Sequence, residues 1–344
     1  MGNVLGPADP RDRQNASATV PPVLPDFKKR PPVDMRRTTR NLDGLFGTVL
    51  LLGCLLLTLA VYGGLYHHLM EPLSHYHIPL AVIPVVCAFF TLVFRQFVRT
   101  LLLVLLGVVI LFPAYQDTNL PKDQPVPRTA KSIVLLEIPE NGAPFGKVID
   151  WVERTEPSVC LLVEQPGRPI EDFERLRREF GYTYSFRAGT GVGIFSRHPI
   201  RTLPTPGGLG AMLIELSFPG QENPVCLALV SMPLPDTAEG WEARNQRMDA
   251  LAVQLARIDE PVVLAGALQC SPHSLRLRRF ERGSKLTRVQ PKWYPMTQTG
   301  DLKGLLQPLS TPILHSPDIT SFQMVRADEI STGLRPLIYK FAVE

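Results

Sequence analysis

The sequence predicts N-terminal transmembrane helices joined to a single α+β domain. Three observations carry this. Of the 344 residues 45% are hydrophobic, and long uncharged apolar runs crowd between residues 45 and 115. From residue 132 onward, short β-branched runs alternate with amphipathic stretches, the pattern of strands and helices sharing one fold. Between the two lies a polar, proline-containing linker, residues 117–131.

Residues 1–43 are rich in Pro, Arg and Asp and poor in apolar side chains, which predicts a disordered tail. The first long apolar run begins too late and is too long for the h-region of a signal peptide. Residues 45–66 are uncharged over about the ~20 residues a bilayer requires. Residues 78–94 are shorter and carry Pro79 and Pro84 but no charge. Residues 97–115 are Leu/Val-rich, with Arg99 near one end where it can snorkel to the surface. Together residues 44–116 form a predicted three-helix membrane region. Lys28, Lys29, Arg30, Arg36, Arg37 and Arg40 precede the first span, the loop 67–77 has no Lys or Arg, and Arg95 and Arg99 flank the next link. This bias places the N-terminus in the cytoplasm and, after three crossings, the C-terminal domain outside it; if one of the two shorter segments is re-entrant, the domain lies in the cytoplasm instead. His67, His68, His75 and His77 in the loop are read as interfacial imidazoles rather than a metal site.

The domain reads strand (132–138), helix (146–154), strand (158–163) and charged helix (170–180). Strands follow at 191–195, 211–217 and 225–231. Residues 241–258 form the strongest helix, with Met248, Leu251, Ala252 and Leu255 on one face. Strands at 262–265, 313–314 and 336–343 complete the series. Gly207, Gly208 and Gly210 mark a hairpin turn. Cys160, Cys226 and Cys270 are odd in number and lack C-x-x-C spacing, so neither a disulfide framework nor a zinc site is expected. A net charge of +4 is too small to signal nucleic acid on its own. Gly189, Gly191 and Gly193 do not make a dinucleotide or P-loop signature.

The run Val262, Val263, Leu264, Ala265 closes at Gly266 as a buried strand ends. Acids often follow such a strand end, but here Ala267, Leu268 and Gln269 do. Several strings, in order, resemble the endonuclease/exonuclease/phosphatase family, specifically its membrane-anchored bacterial branch with three N-terminal helices. TEPSVCLLVE (155–164) resembles the family's DPDVVLLQE, and GIFSRHPI (193–200) its ALLSRYPI. LVSMPLP (229–235) is similar to the strand that ends in a catalytic His, and Arg244-Asn245 to the start of the next helix. GALQCSP (266–272) resembles GDFNATP. LHSPD (314–318) and STGLRP (331–336) resemble DHILVSPD and GSDHRP.

The resemblance covers residues 132–344 and implies a four-layer α/β sandwich of the DNase I-like type, with a divalent metal, carboxylates and a His activating water on a phosphate ester. Carried over one residue at a time, the metal-binding Glu is retained as Glu164, and the first-strand Asn falls near Glu137. The catalytic His falls on Met232, and the Asp and Asn of G-D-x-N on Ala267 and Gln269. The penultimate Asp/His pair falls near Thr311 and Pro312, the last on Gly333 and Leu334. The expectation is a membrane-anchored domain that keeps the frame, holds no catalytic set, needs no cofactor, and acts in binding or as a scaffold, with Glu164 a vestigial metal ligand. The alternative is an Mg²⁺- or Mn²⁺-dependent phosphoesterase with a rearranged site drawn from Glu137, Glu164, His273, His315, Asp318 and Asp328. The expected partners are the bilayer of a bacterial inner membrane and either a protein or an anionic lipid, the latter through Arg276, Arg278, Arg279, Arg282 and Lys285.

Overall fold

A computed structural model describes residues 35–343 apart from 117–124, 138–144, 164–177, 179–182, 188–190, 207, 222, 271–273, 290–312, 329 and 331–335. The chain divides into two compact units, Met1–Phe46 and Gly47–Glu344. The first contributes only residues 35–46 to the described structure; both sheets lie in the second. The proposed tail up to residue 34, the helix at 170–180 except for helical Arg178, and the first part of the linker lie outside the described residues.

Three apolar helices come first: α1 (Met35–Gly63), α2 (His77–Val93) and α3 (Phe97–Gln116). Helix α1 starts ahead of the apolar run because the polar residues from Met35 onward continue its winding. Within it Asp43–Gly63, 21 residues, is long and apolar enough to cross a membrane. The other two apolar stretches, Pro79–Val93 and Phe97–Phe112, are shorter. At 1.5 Å per residue each spans less than the ~30 Å hydrocarbon core. Helix α3 packs on α2 where Gly107 has no side chain, since a Cβ there would lie 3.4 Å from Val85 Cγ2 and 3.5 Å from the Ala81 carbonyl. Thr91 and Thr100 share a 2.9 Å hydroxyl bond, and Tyr62 donates to the Val109 carbonyl at 2.7 Å. Outward residues such as Leu56, Phe89, Val98 and Leu101 are more than 60% exposed. A 3₁₀ turn, Glu71–Tyr76, joins α1 to α2. The His67 and His68 rings stack at 4.7 Å.

The domain is two six-stranded sheets face to face with helices on both outer surfaces. Its strands are β1 (Lys131–Glu137), β2 (Val159–Val163), β3 (Thr183–Arg187), β4 (Val192–Ser196), β5 (Ile200–Thr202), β6 (Ala211–Leu216), β7 (Val225–Ser231), β8 (Val262–Ala267), β9 (Thr287–Val289), β10 (Ile313–His315), β11 (Ile319–Arg326) and β12 (Leu337–Val343). The sheet orders are β11-β12-β1-β2-β4-β3 and β5-β6-β7-β8-β10-β9. Within each sheet one pair is parallel, β1 with β2 and β7 with β8; the others are antiparallel.

The period of two along each strand builds the layers. In β7, Val225, Leu227 and Leu229 enter the core between the sheets, while Cys226, Ala228 and Val230 face outward to helices. In β2, Val159, Leu161 and Val163 point inward, and Cys160 and Leu162 lie under helix α4 (Phe145–Thr155) with Val148, Ile149 and Trp151. The second sheet is covered by α5 (Ala238–Leu255), through Met248, Leu251 and Leu255, and by α6 (Leu275–Ser284), through Leu277 and Phe280. Thr237 caps α5 by accepting from Gly240 N–H at 3.0 Å, and Ser274 caps α6 by accepting from Leu277 N–H at 3.1 Å. This is the expected α/β/β/α sandwich. Strands β3, β5, β9 and β11 and helix α6 were not among the predicted elements. The glycine turn sits where expected, between the paired strands β5 and β6, with φ +85° at Gly208 and +64° at Gly210.

All five cysteines are free. Burial pushes the Cys160, Cys226 and Cys270 thiols up to about 12. These three stay protonated and inaccessible, so a maleimide at pH 8 is expected to leave them unmodified in the folded chain and to label all three once guanidinium unfolds it. Peptide mapping by mass spectrometry checks this; a modified Cys270 in folded protein would mean that the strand end after β8 opens.

Candidate functional site

Each parallel pair brings two strand ends together at one edge of its sheet. Glu137 at the end of β1 stands in register with Val163 at the end of β2, and Ser231 at the end of β7 with Ala267 at the end of β8. Glu164 follows Val163 directly and lies outside the described residues, as do Thr311, Pro312, Gly333, Leu334 and His273.

The β7 and β8 ends are locked together. Met232 N–H donates to the Ala267 carbonyl at 2.9 Å. Gly266 is required here: its φ is +126°, and a Cβ would fall 2.1 Å from the Val230 carbonyl oxygen. The residues that follow are apolar and enclosed. Ala267 is 3% exposed and belongs to the core between the sheets; Met232 at 4% and Leu268 at 0% belong to the core under α5 and α6. Gln269 is half-buried and has φ +52°, a left-handed conformation that side chains adopt at a cost. Met232, Ala267 and Gln269 are thus brought together, as the resemblance implied.

Mg²⁺ and Mn²⁺ require oxygen donors, usually including a carboxylate. The strand ends around Met232, Ala267 and Gln269 offer a thioether, a methyl group and one neutral amide. Among the described residues no three His, Cys, Asp or Glu side chains are grouped to hold a metal. The described wall therefore does not fit the metal of the family's chemistry. Of the rearranged set, Glu164 and His273 lie outside the described residues, and His315 and Asp318 lie away from the Ala267 end of β8. His315 pairs with Val263, at the opposite end of β8 from Ala267, and Asp318 lies in the turn just beyond it. Burial pushes the His315 imidazole below its ordinary range, and its Nδ1 lies 2.8 Å from the Ser316 carbonyl. Asp328 does lie at the correct edge, just past β11, whose Arg326 pairs with Leu337.

Beside the β7 and β8 ends is a charge network that sequence reasoning did not find. Arg244, in the second turn of α5, is 0% exposed. Its Nη2 donates to Glu71 Oε2 at 2.5 Å, its Nη1 to the Gln269 carbonyl at 2.6 Å, and its Nε and Nη2 to Asn245 Oδ1 at 3.2 and 2.8 Å. The partner carboxylate belongs to the α1–α2 turn. Glu71 is 3% exposed, and its Oε1 finds no hydrogen-bond partner among the described residues. Arg276 of α6 extends the network, donating to the Asn245 carbonyl and pairing with Asp249 at 2.9 Å. Arg276 is thus committed to internal partners, whereas Arg279, Arg282 and Lys285 are exposed. One signal was available: Glu71 is the only acidic residue between Asp43 and Asp117. A lone acid in an apolar region carries a desolvation cost that only a partner offsets.

Comparison with known proteins agrees with this architecture. The model of the Endonuclease/Exonuclease/phosphatase family matches residues 139–317, more than half of the chain, and the chain belongs to that family. Among solved structures, it is similar to a humanized D. rerio TDP2 (14% identity, 62% of this chain and 99% of that one, TM-score 0.47). It is also similar to the human Nocturnin catalytic domain (12%, 64% and 97%, 0.49) and to an AP endonuclease from Archaeoglobus fulgidus (17%, 62% and 100%, 0.46). No curated protein matches the sequence.

Proposed function

We propose that this protein is a membrane-anchored member of the family whose domain does not hydrolyse phosphate esters and serves in binding or as a scaffold. The observation that carries the reading is the joined end of β7 and β8, where Met232 and Ala267 are packed as core. A positioned general acid or base is worth ~10²–10⁴-fold in rate, and several such roles fall here on side chains unable to perform them. Glu164 alone is a weak ligand set for Mg²⁺.

Anchoring is supported by the span Asp43–Gly63 and by the apolar faces that α1–α3 turn outward. The Arg244–Glu71 contact supports a topology with the domain on the same side as the α1–α2 turn. With the basic residues before α1 in the cytoplasm, that side is extracytoplasmic. On this reading the two shorter helices also enter the bilayer, and exposed Arg279, Arg282 and Lys285 are available to anionic headgroups.

The test is hydrolysis of bis-p-nitrophenyl phosphate and p-nitrophenyl phosphate by the full-length chain in detergent, with Mg²⁺ or Mn²⁺. The expected result is no turnover above that of Glu164→Ala. Turnover by the unmodified chain that Glu164→Ala abolishes would overturn the reading and establish a phosphoesterase.

A further inference from the structure

We propose that the α1–α2 turn regulates the cleft edge through Arg244, so that the position of the helical hairpin and the conformation of residues 268–270 are coupled. The proposal rests on the reading of the β7–β8 end as the family's cleft. A single guanidinium holds both sides: Nη2 bonds Glu71 of the turn and Nη1 bonds the carbonyl of Gln269. Arg244 is 0% exposed, so solvent cannot replace either partner while the other stays in place. Gln269 is itself held at φ +52°, a conformation that persists only where its surroundings over-determine it. The bond from Arg244 is one of those surroundings, and the guanidinium is oriented by Glu71.

A small cleft of about 10 Å³, room for roughly one water, borders the turn and is lined in part by Glu71, Ser74, Ser274, Leu275 and Arg276. Glu71 lines that cleft with one carboxylate oxygen bound and the other without a partner among the described residues. A shift of the turn swings the carboxylate and with it the guanidinium that supports Gln269. Coupling of this kind is reciprocal: whatever alters residues 268–270 biases the hairpin, and whatever displaces the hairpin biases residues 268–270.

The experiment is amide hydrogen exchange, read by mass spectrometry, on the full-length chain in phosphatidylcholine nanodiscs, comparing wild type with Glu71→Ala and Glu71→Gln. Glu71→Gln keeps the side-chain volume and an oxygen acceptor, so it gives a folded reading if the alanine variant does not accumulate. The expected result is exchange at residues 268–270 faster by ~10-fold or more, with β4 and β6 unchanged, as local opening requires. Unchanged exchange at 268–270 would overturn the proposal, and so would an acceleration spread evenly over all strands. Turnover in the phosphodiester assay would remove the non-hydrolytic reading and leave this coupling intact, because the exchange measurement does not depend on activity.

Discussion

Replacing Glu71 by alanine is expected to lower the apparent Tm of the full-length chain in detergent by roughly 10 °C. The Arg244 guanidinium is fully enclosed, and among the described residues its only carboxylate partner is Glu71. Removing one partner of a buried pair leaves an uncompensated charge and costs about 3–5 kcal/mol, which at ~2–4 °C per kcal/mol for a domain of this size gives the shift stated. Replacing both residues by methionine is expected to recover most of the loss, since an apolar pair of similar volume avoids the desolvation cost. Intrinsic fluorescence during a thermal ramp measures both. A fall of less than about 2 °C for Glu71→Ala would place the pair with exposed ion pairs, whose loss costs ~1 kcal/mol or less.

Gly266→Ala is expected to cost more than about 4 kcal/mol, enough to prevent accumulation of folded chain. Two penalties act at one atom. The backbone sits at φ +126°, where a Cβ is strained, and the added carbon would lie 2.1 Å from Val230 O, 2.9 Å from Val230 N and 3.0 Å from Val230 C. None of these is a flexible side-chain end. The parallel β7–β8 pair would have to separate, and both cores meet along it. Gly146→Ala in helix α4 is the control. Among the described residues nothing lies within 4 Å of its added Cβ, and alanine in an exposed helix is worth ~0.5–1 kcal/mol over glycine, so this variant is expected to be at least as stable as wild type. Yield of monodisperse protein and circular dichroism compare the two; a folded Gly266→Ala chain would show that β7 and β8 can part locally.

These expectations depend on a geometry that was partly legible in the sequence. Strands such as β2, β7 and β8 are continuous apolar runs because both faces are covered, and such runs are recognisable without a structure. Strand β11 is half-buried along most of its length and reads Ile-Thr-Ser-Phe-Gln-Met-Val-Arg, a pattern too mixed to stand out. Helix α6 was read only as a basic cluster, because its four arginines obscured the Leu277 and Phe280 contacts that bury it. At the candidate site, the glycine-closed run marked the end of β8, and register sets Met232 beside Ala267. Order along a chain does not say which end of a strand a residue occupies, and so His315 and Asp318 were grouped with residues at the opposite edge. The Arg244–Glu71 pair was beyond reach for another reason: 173 positions separate the partners, and neither local period nor motif spacing links them.

That separation has a consequence for how the protein is made. Glu71 emerges from the ribosome long before Arg244, so during synthesis the turn carries an unmatched carboxylate until helix α5 arrives. Strands β1 to β7 come out in the interval, and Arg244's bond to the Gln269 carbonyl waits for β8. The N-terminal helices thus cannot reach their final seating until most of the domain has been translated. A chain truncated before α5 would keep its apolar segment and lack the seat for its turn.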